Sequence, residues 1–131
     1  MKPIDYSRPQ PIEPRLGTRR RLLRIIGIGG SATLPVLSLL PGDLQAPLRT
    51  GIPGELEHLA AYTAVAFCLR GGFTRKGSSI WIVVSLAALA GLLELLQALV
   101  PGRGPAFMDA VAGSAGAWLG SMAAAHSAAR G

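Results

Sequence analysis

The stretch Leu92–Gly120, LLELLQALVPGRGPAFMDAVAGSAGAWLG, consists of two apolar segments joined by a short turn. The first segment carries Glu94 and Gln97, and the second opens with Asp109. A charged side chain near the centre of a bilayer costs about 2.5–3.5 kcal/mol on insertion scales. Because such groups need partners, we interpret these three side chains as members of one shared polar site.

The composition is typical of a membrane protein. Of the 131 residues, 50% are hydrophobic and 15% are charged, whereas a soluble domain carries about 25% charged residues. The net charge is +6, and arginines flank the apolar segments, as expected of membrane proteins whose basic residues face the cytoplasm. We therefore expect the lipid bilayer as a partner and no nucleic acid.

Four apolar segments predict an all-α fold, a membrane bundle of four transmembrane helices. A helix needs about 20 residues to cross the hydrocarbon core of a bilayer. The second segment reaches that length only if the polar residues at its start lie at the interface. The predicted spans are 22–40, 54–70, 80–100 and 106–125, within one domain over 21–127.

Two segments outside the spans are rich in proline. Residues 1–20 combine prolines with scattered charges and predict a disordered, basic cytoplasmic tail. The loop 41–54 is compatible with either an ordered cap or a re-entrant segment.

The arginines of residues 19–24 resemble a twin-arginine export signal. Since no small-residue cleavage site follows them, we expect an uncleaved first helix.

The distribution of basic residues predicts the orientation. They are concentrated before the first span, between the second and third spans, and after the fourth. Alternating spans place these segments on one side, which is the cytoplasm by the positive-inside rule, so both termini are expected there. The outer end of the bundle then receives polar residues from three helices and one turn. The candidate ligand-binding residues are His58, Glu94, Gln97, Arg103 and Asp109, with Glu57 and Tyr62 in support.

Residue spacing within the helices supports this cluster. Glu94 and Gln97 are three residues apart and therefore share one helix face. Small residues recur at intervals of three and four along the last helix, and such stripes let helix backbones approach closely. Asp109 belongs to the same stripe, so we expect it to face the bundle. The expected helix-packing residues are Gly91, Ala112, Gly113, Gly116 and Gly120.

Arg103 lies in the turn between the two helices that carry the carboxylates. We expect its guanidinium to reach Glu94 and Asp109, because a planar guanidinium binds carboxylates in bidentate geometry. In one interpretation the resulting network only locks the bundle together. In the other, the same groups bind a ligand from the outer leaflet, which is the default expectation for ionisable groups within spans.

The order and spacing of these residues resemble the VanZ-like family. The resemblance implies a small, multi-pass protein of the bacterial cytoplasmic (inner) membrane. It also implies a link to antibiotic resistance, since the family is named after a protein linked to low-level teicoplanin resistance. The series that carries the resemblance is His58, Tyr62, Glu94, Gln97, Pro101, Arg103, Asp109, Gly116 and Gly120. The chain departs from the family pattern at Gly54, Glu55, Ala106 and Gly113.

Three functions are compatible with the sequence. The first is binding of an envelope lipid or a lipid-like ligand such as a lipoglycopeptide, with Arg103 holding an anionic group. The second is an intramembrane enzyme acting on a lipid-linked substrate, with Glu94 or Asp109 as general base, although no nucleophile is evident. The third is a purely structural assembly protein. We expect no cofactor and no metal site, and the sequence leaves the oligomeric state open.

Overall fold

The computed structural model describes residues 16–45, 51–75, 77–104 and 106–130. Within these ranges the chain is all-helical, which confirms the predicted fold class at that level. Each predicted span corresponds to one long helix, and a short helix occupies the loop after the first. The helices are α1 Leu16–Ser38, α2 Gly42–Gln45, α3 Gly54–Gly72, α4 Ser78–Gln97 and α5 Phe107–Ala129.

The first helix begins earlier than the sequence predicts. Residues 16–20, assigned to the disordered tail over 1–20, are part of α1. No proline occurs between Pro14 and Pro35, and arginine has a high helix propensity, so the helix extends into the basic segment. The remaining tail residues and residues 46–50 of the predicted 41–54 loop lie outside the described residues.

Helix α3 lies at the centre of the bundle and contacts α1, α4 and α5. It runs antiparallel to α1: a Cβ at Gly27 would lie 2.9 Å from the backbone nitrogen of Leu69, and one at Gly30 would lie 2.8 Å from Val65 Cγ2. Helix α5 runs parallel to α3, and the pair forms the most extensive interface between helices. The four long helices therefore alternate in direction along the chain.

Two glycines of α5 set the distance between α3 and α5. A Cβ at Gly116 would overlap the carbonyl oxygen of Leu59, and one at Gly120 would overlap that of Thr63. Both obstacles are backbone atoms, which cannot move aside as a flexible side chain can. The two helix backbones are therefore in contact along this stripe, as small residues in membrane helices allow.

The other three residues expected to pack between helices, Gly91, Ala112 and Gly113, differ in how closely they approach a neighbouring helix. A Cβ at Gly113 would lie 3.1 Å from Ala90 Cβ and 3.3 Å from the Tyr62 ring, so this glycine packs against both α4 and α3. Ala112 is half-buried. Gly91 was expected to pack as well, but a Cβ there meets no atom within 4 Å. That expectation was wrong, because the half-buried Gly91 lies beside the face of α4 that packs against the other helices and not on it.

The apolar core is small and lies midway along the helices. It is formed by Tyr62, Val65, Ala66, Leu86, Ala90 and Ala117. Of the described helices, α4 alone is long and apolar enough to cross a membrane by length and composition, with a mean hydropathy of 2.2. The other long helices are less apolar than α4, because α1 begins with arginines, α3 contains glutamates and α5 is rich in small residues. Four spans thus stay a prediction.

Apart from Arg103, the described charged residues of opposite sign are segregated to the two ends of the bundle. One end, here called the acidic end, is formed where α1 and α4 terminate and α3 and α5 begin. It carries the described acidic residues Asp43, Glu55, Glu57, Glu94 and Asp109. The other end, here called the basic end, carries Arg19, Arg20, Arg21, Arg24, Arg70, Arg75, His126 and Arg130.

Candidate functional site

The acidic end brings the candidate site residues of four elements together. Two helices terminate there and present carbonyl groups without helical partners, and two helices begin there and present free N–H groups. The end therefore contains both negative and positive ends of helix dipoles. This arrangement decides which polar side chain pairs with which backbone group.

Glu94 caps the beginning of α5. Its side chain is buried, with 7% of the residue exposed, and its Oε1 accepts a hydrogen bond from the backbone N–H of Ala106, the residue before α5. A carboxylate at a helix N-terminus satisfies a free donor and is favoured by the helix dipole. The buried charge of Glu94 is thus matched by backbone rather than by a side-chain cation.

Arg103 binds a different helix end from the one expected. Its Nη1 donates a hydrogen bond of 2.7 Å to the carbonyl oxygen of Ser38, the last residue of α1. In the described ranges no ion pair joins Arg103 to Glu94 or Asp109, so the expected reach to both carboxylates was wrong. A cation at a helix C-terminus is favoured by the dipole, and the end of α1 supplies that position.

Ser38 joins three elements, and sequence reasoning missed it. Besides accepting from Arg103 through its carbonyl, Ser38 accepts through Oγ a hydrogen bond of 2.5 Å from Nε2 of Gln97. Gln97 is 1% exposed, so its amide depends on this partner. A serine close to the end of the first apolar segment was the available signal, but its partners become visible only once the helices are packed.

His58 and Asp109 form the second part of the site. Nδ1 of His58 lies 2.9 Å from the carbonyl oxygen of Gly54 and 3.7 Å from Oδ2 of Asp109. The first distance is a hydrogen bond, and the second is an electrostatic contact only. The His58 ring stacks on Tyr62 with centroids 6.3 Å apart and an interplanar angle of 16°. These contacts fix the ring and leave Nε2 without a partner among the described residues.

Gly54 gives Asp109 its place between α3 and α5. A Cβ at Gly54 would lie 3.4 Å from both carboxylate oxygens of Asp109. The carboxylate therefore lies against the first turn of α3 while belonging to the first turn of α5. Both helix dipoles stabilise a negative charge at this point.

A cavity of about 150 Å³ opens beside His58. It lies between the end of α1, helix α2 and the beginning of α3. Leu34 and Leu37 of α1 contribute apolar wall, and Glu57 and His58 of α3 contribute polar wall. The lining residues are Leu34, Leu37, Ser38, Gln45, Glu57, His58, Ala61 and Tyr62.

The candidate residues thus fall into two groups. Glu94, Gln97 and Arg103 are each bonded to a helix end or to a residue there, so their contacts are those of a structural network. His58, Glu57 and Tyr62 line the cavity, and Asp109 stands behind His58. In the described part of the chain, no cluster of three His, Cys, Asp or Glu has the geometry of a metal site.

Comparison with known proteins gives no relative for this chain. No family model, no curated protein and no solved structure matches it.

Proposed function

We propose that this chain is a multi-pass membrane protein of the VanZ-like type whose cavity at the acidic end binds the polar part of an envelope lipid or of a lipid-like ligand. The observation that carries the proposal is the 150 Å³ cavity with His58 and Glu57 in its wall. The order and spacing of the site residues support the family.

Large apolar side chains on the outside of the bundle support embedding in a membrane. Trp81 is 71% exposed, Leu95 is 73% exposed and Ile25 is 59% exposed, on two different helices. Soluble monomers rarely expose apolar patches of more than a few hundred Å². A bilayer around the bundle would cover these side chains, and α1, α3 and α5 would then cross it together with α4.

Charge segregation supports one orientation. The basic end holds every described arginine except Arg103, and basic residues at membrane boundaries face the cytoplasm. We therefore place the basic end and both termini in the cytoplasm and the acidic end at the outer face of the bacterial inner membrane. In this orientation the cavity opens toward the envelope.

The walls of the cavity favour a ligand group that donates hydrogen bonds. Glu57 and the Asp109 carboxylate behind His58 make the polar wall electronegative, which suits hydroxyl or ammonium groups. A cavity of about 150 Å³ accepts a group the size of a six-membered ring. A sugar or amino-sugar on a lipid carrier, or on a lipoglycopeptide such as teicoplanin, combines that size with those donors.

The bonding of Glu94 argues against the enzymatic alternative. An oxygen that accepts a backbone N–H bond at the start of α5 is already engaged as a helix cap, and the bond holds the carboxylate in place. The purely structural alternative is favoured for Glu94, Gln97 and Arg103 but does not account for the cavity.

Filling the cavity tests the proposal. Ala61→Phe places a ring inside it without removing any polar group, and Ala115→Phe adds the same ring at an exposed position of α5 that does not line it. Teicoplanin is the probe, titrated against purified protein in neutral detergent. We expect wild type and Ala115→Phe to bind alike and Ala61→Phe to bind at least about tenfold more weakly. Equal binding by all three proteins, or none by wild type, contradicts teicoplanin as the ligand of this cavity.

Alkaline extraction of membranes tests embedding separately. The wild-type protein should stay in the membrane pellet at high pH, as proteins that span the bilayer do. Release into the supernatant would contradict a multi-pass protein and with it the orientation proposed above.

A further inference from the structure

The basic end contains a second pocket, which the site at the acidic end does not use. It measures about 280 Å³ and lies between the beginning of α1 and the ends of α3 and α5. Three arginines line it, together with two hydroxyl side chains. No acidic residue of the described ranges lies at this end of the bundle. The polar lining residues are Arg19, Arg20, Arg70, Thr74 and Ser127.

Arg70 has a buried donor with no acceptor. Its Nε is inaccessible to solvent and has no hydrogen-bond partner among the described residues, and its Nη1 makes only a long bond of 3.4 Å to the Phe73 carbonyl oxygen. Arg24, at the same end, has its Nε bonded to Gly72 O at 2.7 Å and its guanidinium 5.1 Å from the Phe73 ring centroid. The contrast shows that Arg70, unlike Arg24, is not satisfied by the fold.

An apolar groove adjoins this pocket. Phe67 lines both, and from there the groove follows α3 from Cys68 to Leu56, with Leu119 of α5 as part of its wall. The groove measures about 520 Å³. Twelve residues of helix separate Leu56 from Cys68, which corresponds to about 18 Å, the reach of a long acyl chain.

We propose that the basic pocket and the groove together bind one anionic phospholipid. The headgroup phosphate accepts hydrogen bonds from the guanidinium groups of the arginines that line the pocket, and one acyl chain lies along α3. Guanidinium groups match phosphate oxygens in bidentate geometry, and basic pockets between membrane helices on the cytoplasmic side suit such headgroups. A soluble phosphate could bind the arginines of the pocket but would leave the groove uncovered. The inference rests on the proposed membrane embedding but not on the cavity at the acidic end.

Charge-matched variants test the headgroup contacts. Arg19→Gln with Arg70→Gln removes two arginines that line the pocket, and Arg21→Gln with Arg75→Gln removes two at the same end that do not. The full-length proteins, purified in neutral detergent, are titrated with dioleoylphosphatidylglycerol or dioleoylphosphatidylcholine, and bound lipid is counted by native mass spectrometry.

We expect wild type and the Arg21/Arg75 variant to bind phosphatidylglycerol about equally and better than phosphatidylcholine. The Arg19/Arg70 variant should bind phosphatidylglycerol about tenfold more weakly, because it loses charge-assisted hydrogen bonds. Equal weakening in both double variants would reduce the effect to general charge attraction and overturn the pocket. Unchanged binding in both would overturn it as well.

A second pair of variants tests the groove. Ala64→Phe fills it, and Ala88→Phe adds the same ring at an exposed position of α4 outside it. We expect Ala64→Phe to weaken binding of the dioleoyl lipid but not of dihexanoylphosphatidylglycerol, and Ala88→Phe to change neither. Displacement of the dioleoyl lipid by 10-fold excess inorganic phosphate, with no effect of Ala64→Phe, would overturn the phospholipid in favour of a soluble phosphate. Alkaline extraction separates failure of this inference from failure of the embedding, since it requires no lipid binding.

Discussion

The two ends of the bundle handle buried polar groups in opposite ways. At the acidic end, Glu94 is bonded to the start of α5, Arg103 to the end of α1, and Gln97 to Ser38. At the basic end, Arg70 is the residue with a buried side-chain donor that no described group satisfies. Glu94 and Arg103 are thus matched to helix ends rather than to each other, whereas Arg70 keeps a buried donor that no described group accepts.

Replacement of Glu94 should give the largest effect on the acidic end. Glu94→Ala leaves the Ala106 N–H without an acceptor and opens a void, and we expect it to lower the free energy of unfolding by about 2–3 kcal/mol. Thermal unfolding in detergent measures the loss. Glu55→Ala, at an exposed carboxylate of the same end, is the control and should melt as wild type. A Glu94→Ala protein as stable as that control would mean that the cap contributes nothing.

Arg103 provides the next test, because its partner is a carbonyl group rather than a carboxylate. Arg103→Ala should cost about 1–2 kcal/mol, the value of a charged hydrogen bond at a helix C-terminus, and Arg103→Lys should recover part of it. The two melting temperatures, compared with wild type, check this order. A loss as large as about 3–5 kcal/mol would instead indicate a buried carboxylate left unpaired.

Ser38→Ala tests a single neutral hydrogen bond. Its loss leaves the Gln97 amide without its side-chain acceptor, and such bonds between membrane helices contribute about 0.6 kcal/mol on average. We expect a decrease of that size, and in the Gln97→Leu background the Ser38→Ala change should have almost no effect. Two independent, additive losses in this double-mutant cycle would show that the residues are not coupled.

Removal of Arg70 should have the smallest effect on stability, because the fold leaves its buried donor without an acceptor. In lipid-free detergent, Arg70→Met deletes a donor that has no acceptor, so the stability should stay within about 0.5 kcal/mol of wild type. Arg24→Met, which loses the bond to Gly72 and the contact with Phe73, is the matched variant and should melt earlier. If Arg70→Met were the less stable of the two, Arg70 would be a structural residue.

The helices were predictable because length and apolar content suffice to find them. The predicted spans 54–70 and 80–100 differ from α3 and α4 by only a few residues at each end. The clustering of His58, Glu94 and Asp109 was predictable for a similar reason, since alternating helix directions place them at one end. Both inferences depend on positions along the helices and not on how the helices are rotated.

The partners of the polar side chains and the rotation of each helix about its axis could not be derived in the same way. Sequence reasoning paired Arg103 with carboxylates, because side-chain charges are visible in a sequence and the dipoles of helix ends are not. It expected Gly91 to pack by its spacing from Glu94, yet the rotation of α4 leaves Gly91 at an open face. The Arg70 pocket went unnoticed because its walls come from three helices that are far apart in the chain.

The close contact of α3 with α5 also determines the order in which the molecule is assembled. During synthesis α3 is made before α4, and α5 follows both. The face of α3 around Leu59 and Thr63 therefore waits for the two glycines of α5 that fit against it. Because domains are made from the N-terminus onward, the bundle is closed by its last helix. Until then this face of α3 lacks the backbone contact that Gly116 and Gly120 provide, so the tightest interface of the bundle is also the last to form.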